Sequence, residues 1–295
     1  MLIGKFLDYL RIEKNYSKHT ITAYNKDLNE FKDFLLNDFK SSNIKNVEYK
    51  LIRSWIVSLV NNNISNRSIN RKISSLKSFY KFLVKTQTIK VSPLISHSPL
   101  KQSKKIQVPF SKEEIEELLD GDLFNNDYRG ILQKTIIQFF YFTGVRRFEL
   151  ISIKNSNIDF DSSSLKIMGK RNKERIIPML PSLIEVTREY MNSKIKNSIK
   201  SNNDFLFQNS KGNQLSEKFV YRTVNQYFKL VSPKVKKAPH VLRHSFATHL
   251  INEGADINSV KELLGHSSLS ATQVYSHTSM ERIKEVFNNS HPRAK

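Results

Sequence analysis

Apolar residues recur every three or four positions through the first hundred residues, which is the spacing of one face of an α-helix. One such stripe, within residues 17–36, contains Ile21, Tyr24, Leu28, Phe31 and Leu35. A second stripe contains Ile69, Ile73, Leu76, Tyr80 and Leu83, and it is accompanied by Arg67, Arg71, Lys72, Lys77 and Lys81. The pattern predicts an all-helical N-terminal domain.

The helical periodicity breaks between residues 96 and 109, where serine, proline and lysine replace the apolar stripe. Residues 111–114 then read Ser-Lys-Glu-Glu, which is a typical start of a helix. We therefore expect an N-terminal domain at 1–96, a linker at 97–109 and a C-terminal domain at 110–295. A chain of 295 residues is long enough for two domains with separate cores.

The C-terminal region is predicted to combine helices with a small β-sheet. A buried helix is expected at 130–142, ending near Gly144. Segments 157–168 and 175–179 alternate enough to predict short strands, joined by a hairpin-like turn at 169–172. Further helices are expected at 240–252, closed by Gly254, at 257–264 between Asp256 and Gly265, and at 267–274. The predicted fold class is thus mainly α, in two domains.

Composition indicates a nucleic-acid partner. The chain has 48 Lys and Arg against 27 Asp and Glu, a formal charge of +21, which is typical of proteins that meet nucleic acid or an anionic surface. A basic surface kept for solubility, or a codon bias towards lysine, is the competing interpretation. The sequence has no apolar run of about 18 residues and no signal-peptide pattern, so we expect a cytoplasmic protein without a membrane partner. With no cysteine, disulfides and thiolate metal sites are excluded.

Two short segments carry the residues of a phosphate-handling site. On a helix, His240 and Arg243 would share one face, where an imidazole and a guanidinium can converge on the same anion. Arg146 and Glu149 repeat this spacing upstream. Without a carboxylate cluster to hold magnesium, two arginines favour metal-free phosphoryl transfer, because they can neutralise the transition state themselves.

Zinc binding is the rival interpretation of the histidines, since His240 and His244 have the spacing of a zinc-binding helix. The residues between them include no glutamate, and Arg243 would repel a cation. We therefore expect neither a metal nor another cofactor.

These residues resemble the tyrosine recombinases of the phage integrase family, and within it the Xer group. The family order Arg, Lys, His-x-x-Arg, His, Tyr is matched by Arg146, Lys170, His240, Arg243, His266 and Tyr275. The neighbouring strings are also similar: TGxRxxEL at 143–150, GKxNKER at 169–175, ATHL at 247–250 and LLGHS at 263–267. The similarity spans nearly the whole chain, and the tail at 291–295 resembles the XerC branch more than the XerD branch.

The resemblance implies a role for each matched residue. Tyr275 would be the nucleophile that attacks the scissile phosphate, giving a 3′-phosphotyrosyl link and a free 5′ hydroxyl. Arg146 and Arg243 would stabilise the transition state. The remaining roles are those of Lys170 as general acid on the 5′ oxygen, His240 as base or proton shuttle, and His266 as hydrogen-bond donor to a phosphate oxygen.

Two positions leave alternatives open. Glu149 resembles the family carboxylate that orients the histidine, and a buried partner for Arg146 is the equal alternative. The family usually has glycine where Arg171 follows Lys170, so Arg171 is expected to stiffen the hairpin or to contact phosphate. Lys173 is the neighbour that competes with Lys170 for the general-acid role.

The implied partner is double-stranded DNA with a short inverted-repeat target site. A recombinase tetramer would hold two such sites, built from this chain alone or with a second Xer-type subunit, and a DNA translocase could activate it. The N-terminal domain would be a core-binding module, which makes Arg67, Arg71 and Lys77 candidates for phosphate or groove contacts. A merely solvated helix face is the alternative.

The tail at 279–289 carries Met280, Ile283, Val286 and Phe287 at helical spacing. The resemblance implies that this helix docks on a neighbouring subunit; packing on its own domain is the alternative. The implied function is site-specific recombination in chromosome-dimer resolution. A mobile-element integrase, a type IB topoisomerase and a non-catalytic DNA-binding protein on the same scaffold remain alternatives.

Overall fold

The computed structural model describes residues 2–41, 43–102, 107–169, 174–199, 203–234, 237–265, 285–287 and 289–294. The chain divides into two compact units, Met1–Lys105 and Ile106–Lys295. Each unit encloses its own cluster of buried apolar side chains. Among the described helices, none combines the length and the apolar character that a membrane crossing requires.

The described elements of the N-terminal unit are all helices: α1 (Leu2–Ile12), α2 (Lys18–Phe39), α3 (Tyr49–Asn61) and α4 (Asn66–Lys85). Ser17 and Ser65 begin α2 and α4 by accepting hydrogen bonds from backbone amides in the first turn. The predicted stripe of α4 is buried along its whole length. Over these residues the prediction of a helical N-terminal domain is confirmed.

The N-terminal unit continues into the predicted linker. The side-chain amide of Asn70 donates to the carbonyl of Leu100 at 2.8 Å and accepts from its backbone N–H at 2.9 Å. Tyr49 and His97 pair through Oη and Nδ1 at 3.2 Å. Residues 97–100, expected to be an exposed linker, are therefore fastened to the N-terminal helices.

The C-terminal unit surrounds one helix that is buried on nearly all sides. Its described elements are α5 (Lys112–Asp120), α6 (Tyr128–Thr143), α7 (Arg147–Ile151), a 3-10 turn (Asn155–Asn157), β1 (Ile158–Asp159), β2 (Ser164–Met168), β3 (Glu174–Pro178), α8 (Pro181–Lys196), α9 (Glu217–Val231), α10 (Pro239–Asn252) and α11 (Ile257–Leu264). In α6, 13 of 16 residues are buried, which makes it the central helix on which α8 and α10 pack.

The strands form an antiparallel sheet in the order β1-β2-β3, with Ser164 opposite Pro178 and Met168 opposite Glu174. The strand predicted at 157–168 is in fact two strands. Asp159 interrupts it, because its carboxylate accepts the backbone N–H groups of Asp161 and Ser162 and so closes a turn. Residues 170–172 of the predicted hairpin turn lie outside the described residues.

Glycines end α6 and α11, the two helices whose C-terminal ends border the candidate site. Gly144 follows α6 with φ 59°, and a Cβ there would come within 2.5 Å of the Phe246 ring, so the position needs glycine in both conformation and space. Asp256 caps α11 by accepting from the Ser259 amide, and Gly265 ends it with φ 64°. α11 has its predicted bounds, α10 begins one residue before its predicted start and ends as predicted, and the helix expected at 267–274 lies outside the described residues.

Candidate active site

The turn after α6 places Arg146 at the N-cap of α7, one residue before the helix begins. Its backbone N–H and its Nη1 both donate to the Glu149 carboxylate, each at 2.7 Å. The two residues, whose spacing predicted a shared helix face, thus pair with each other within one helical turn. The Arg146 side chain remains 44% exposed, so its guanidinium is anchored on one side and open on the other.

Helix α10 brings Arg243 to the same turn. Its Nη1 donates to the carbonyl of Gly144, and its Nη2 donates to the carbonyl of Leu264 at 2.7 Å. Burial lowers the pKa of Arg243 to about 9, and the positive charge of Arg146 acts in the same direction while Glu149 opposes it. The group is therefore still charged at neutral pH, and an anion beside both guanidiniums would stabilise that charge.

Glu149 is the buried carboxylate that anchors Arg146. Burial alone would raise its pKa, but hydrogen bonds and charge from Arg175, followed by those from Arg146, outweigh it and lower the pKa to about 2. The carboxylate therefore stays ionised at neutral pH. Its contacts with arginine side chains favour the interpretation of Glu149 as a buried arginine partner.

Arg175 is the site residue that sequence reasoning missed. Its Nη1 and Nη2 donate to the two oxygens of Glu149 at 3.0 and 2.8 Å, and its Nε donates to the Leu263 carbonyl at 2.9 Å. Its side chain is only 4% exposed. The available signal was the alternation along β3, which puts Arg175 on the inward face together with Ile177.

His240 lies in the first turn of α10, one turn before Arg243, and is exposed, as is His244. The structure thus pairs Arg146 with Glu149, holds Arg243 on the carbonyls of Gly144 and Leu264, and puts His240 on the helix that carries Arg243. Lys170, Arg171, His266 and Tyr275 lie outside the described residues. Within the part of the chain that the structure describes, no group of His, Asp or Glu side chains is arranged to hold a metal ion.

The basic residues of α4 do not form one continuous face. Arg67 and Lys77 are exposed. Arg71 is half-exposed but holds the buried Asp27 through two hydrogen bonds of 2.5 and 2.8 Å. Lys72 is buried and pairs with Glu30 at 2.5 Å, so its place beside the exposed cations of α4 was a wrong interpretation.

The described part of the tail packs on its own unit. Phe287 is fully buried, with ring contacts to Phe246 and His291. The His291 ring stacks on Phe142 at 5.2 Å, and Arg293 forms two 2.6 Å hydrogen bonds with Asp120. Over residues 286–287 and 289–293 the alternative of packing in cis is therefore the arrangement observed. Met280 and Ile283 lie outside the described residues.

Comparisons with known proteins agree along the chain. The phage integrase family matches residues 110–282, and the phage integrase N-terminal SAM-like domain matches residues 3–87. Tyrosine recombinase XerC of Anoxybacillus flavithermus is 38% identical over 99% of this chain and 98% of its own length. XerC of Staphylococcus saprophyticus is 37% identical over 98% of this chain and 97% of its own.

Solved structures share the fold. The Tn1549 transposon integrase in complex with transposon right end DNA has a TM-score of 0.73 at 20% identity, covering 96% of this chain and 99% of that one. The XerH site-specific recombinase bound to a palindromic difH substrate has a TM-score of 0.70 at 21% identity, covering 96% and 93%. The domain matches and the nearly full-length relatives together show that this chain belongs to the phage integrase family and is a tyrosine site-specific recombinase.

Proposed function

We propose that this recombinase cuts and rejoins DNA through a 3′-phosphotyrosyl link to Tyr275. The observation that supports the proposal is the pair of cations at the turn after α6. Arg146 is held by Glu149, Arg243 by the carbonyls of Gly144 and Leu264, and both keep donors to spare. Two neighbouring guanidiniums fit the two non-bridging oxygens of a phosphodiester and the charge that develops on them.

In the proposed reaction the Tyr275 oxygen bonds to phosphorus while the bond from phosphorus to the 5′ oxygen breaks. The phenolic proton passes to His240, Lys170 gives a proton to the leaving 5′ oxygen, and His266 donates to a non-bridging oxygen. One phosphoester replaces another, so the bond energy is retained. A 5′ hydroxyl of the partner strand then reverses the step and releases the tyrosine without ATP.

We infer that the substrate is a short inverted-repeat site and that the biological role is Xer-type chromosome-dimer resolution. Support comes from the curated XerC relatives, which match over almost their entire length. The XerH structure on a palindromic difH substrate is consistent with the same symmetry, since one subunit would bind each arm. Chromosomal DNA as substrate would put the protein in the cytoplasm.

The proposed assembly is a tetramer on two sites, formed by this chain alone or with a second Xer-type subunit, and activated by a DNA translocase. In it Arg67 and Lys77 would contact phosphates from exposed positions on α4. Arg71 would do so only with the donors that Asp27 leaves unused. Arg171, beside the general acid, would add a phosphate contact.

Selection from random duplexes, followed by recombination of the selected sequence, tests the substrate proposal. The selected DNA should contain two inverted half-sites, and a plasmid with two direct copies should resolve into two circles. Identical relaxation of a plasmid that lacks the selected sequence would indicate a topoisomerase instead. Binding without any strand cleavage would indicate a non-catalytic DNA-binding protein.

A further inference from the structure

Three arginines donate hydrogen bonds to the C-terminal end of α11. Three consecutive carbonyls each accept from a different arginine: Leu263 from Arg175 Nε at 2.9 Å, Leu264 from Arg243 Nη2 at 2.7 Å, and Gly265 from Arg146 Nη2 at 3.4 Å. Carbonyls at this end of a helix have no helical amide to accept from, and the helix dipole makes the end negative. The carbonyls at the end of α11 thus fix the positions of the three guanidiniums.

Arg175 differs from the other two arginines in where its donors point. Arg146 is 44% exposed, whereas the side chain of Arg175 is 4% exposed. All three nitrogens of the Arg175 guanidinium donate to protein acceptors, two to Glu149 and one to Leu263. A group enclosed in this way contacts the protein that surrounds the phosphate site rather than the phosphate.

The charges explain why a buried arginine is needed here. A buried carboxylate paired with Arg146 alone would cancel the charge of that arginine. Because Arg175 also binds both oxygens of Glu149, the three groups together keep one net positive charge, and the exposed face of Arg146 carries it. Arg243 supplies the second positive charge.

We propose that Arg175 is a positioning residue for DNA cleavage, which offsets the negative charge of Glu149 and orients Arg146 towards the scissile phosphate by holding Glu149 and the end of α11. The inference rests on the proposed function of Arg146. Its alternatives are a purely structural role for Arg175 and an effect on the general acid, because Ile167 pairs with Arg175 where the strands lead to the turn of Lys170.

The test compares Arg175→Met and Arg175→Lys with Lys194→Met, a matched control that removes a buried cation elsewhere in the unit. Lys194 is buried and donates to the Leu206 carbonyl at 3.0 Å. The measurements are DNA affinity, folded fraction by circular dichroism, and the single-turnover rate of covalent complex formation on a suicide substrate. Two modified scissile phosphates are added. A methylphosphonate lacks the negative charge that the arginines neutralise, and a 5′-bridging phosphorothiolate leaves without needing a proton.

Arg175→Met should bind DNA almost normally and react about 10- to 100-fold more slowly per folded molecule, the usual loss for a residue that orients a ligating group. The defect should largely disappear on the methylphosphonate and persist on the phosphorothiolate. Arg175→Lys should recover part of the rate, because it keeps the charge without the two-pronged geometry. Lys194→Met should lose stability but react at the normal rate per folded molecule.

A normal rate per folded molecule in Arg175→Met would overturn the inference in favour of a structural role. A defect rescued by the phosphorothiolate alone would overturn it in favour of the general acid. If Arg175→Met does not fold, the same comparison is made with Arg175→Lys. Failure of the proposed function is distinguishable, since wild-type protein would then form no covalent complex at all.

Discussion

At the scale of single residues, Glu149 is the buried charge on which the positions of Arg146 and Arg175 depend. Its carboxylate joins α7 to β3 through Arg146 and Arg175, and Arg175 in turn joins β3 to α11. Removing one partner from such a buried ionic network leaves a charge without compensation, which costs far more than a surface ion pair is worth.

Acid should weaken this network in a defined pH range. Arginine partners lower the pKa of Glu149 from 4.5 to about 2 against the opposing effect of burial. The ionised carboxylate therefore stabilises the folded state fully above about pH 4.5, and this stabilisation is lost as pH falls towards 2. The free energy of unfolding falls by on the order of 3 kcal/mol over this range. Urea unfolding at several pH values between 3 and 7 should show a smaller dependence on pH in Glu149→Gln than in wild type. Parallel plots of unfolding free energy against pH for the two proteins would contradict the role given to Glu149.

Arg243 should matter more for reaction than for binding. Arg243→Ala should slow covalent complex formation by about 10²- to 10³-fold, as expected for loss of one transition-state donor. Part of that loss would be structural, because Arg243 also bonds the carbonyls of Gly144 and Leu264. Single-turnover rates and affinities of Arg243→Ala and Arg243→Lys check the prediction. An equal fall in affinity and rate would mean that Arg243 acts in docking.

The sequence predicted the residues whose meaning lies in local spacing. Arg146 with Glu149, and His240 with Arg243, were recognisable because a helix fixes their relation. Arg175 was missed, because the alternation along β3 indicates an inward side chain but not that α7 and α11 supply its partners. Lys72 is a different case: it was wrongly grouped with the exposed cations, although its spacing from Ile69 and Leu76 is that of the buried face.

At the scale of elements, α4 offers a comparison of two lysines with opposite surroundings. Lys77 is exposed and Lys72 is buried against Glu30. If α4 faces DNA, Lys77→Gln should lower the slope of log affinity against log salt by about 1, the effect of one phosphate contact. Lys72→Met should change stability and leave that slope unaltered. An unchanged slope in Lys77→Gln would mean that this residue does not contact phosphate.

The tail should loosen in mild acid. Burial lowers the pKa of His291 from 6.5 to about 4, and the nearby His249 and Arg293 act in the same direction while the Tyr141 carbonyl opposes them. Because the released imidazole binds a proton more readily than the buried one, stabilisation of the packed tail is complete above about pH 6.5 and falls as pH drops towards 4. Limited proteolysis of the tail should therefore be faster at pH 5 than at pH 7. If the ratio of proteolysis rates at pH 5 and pH 7 were unchanged in His291→Asn, protonation of His291 would not be the cause of the loosening.

At the scale of the whole molecule, hydrophobic periodicity predicted the helices well, because each helix of a small domain buries one face. It failed where polar side chains redirect the chain, as Asp159 does between β1 and β2 and Asn70 does at Leu100. Such turns and anchors depend on the hydrogen bonds of individual polar side chains, which a periodic pattern of apolar residues does not predict.

The proposed reaction requires Tyr275 to form a covalent link to DNA without metal. The most direct measurement is covalent trapping on a labelled suicide substrate in excess EDTA, followed by denaturing electrophoresis. Wild-type protein should give a covalent complex with the phosphate on Tyr275, and Tyr275→Phe should bind the same DNA but give none. A complex formed by Tyr275→Phe, with the phosphate on Tyr221 or Tyr227, or cleavage only when magnesium is added, would contradict the account.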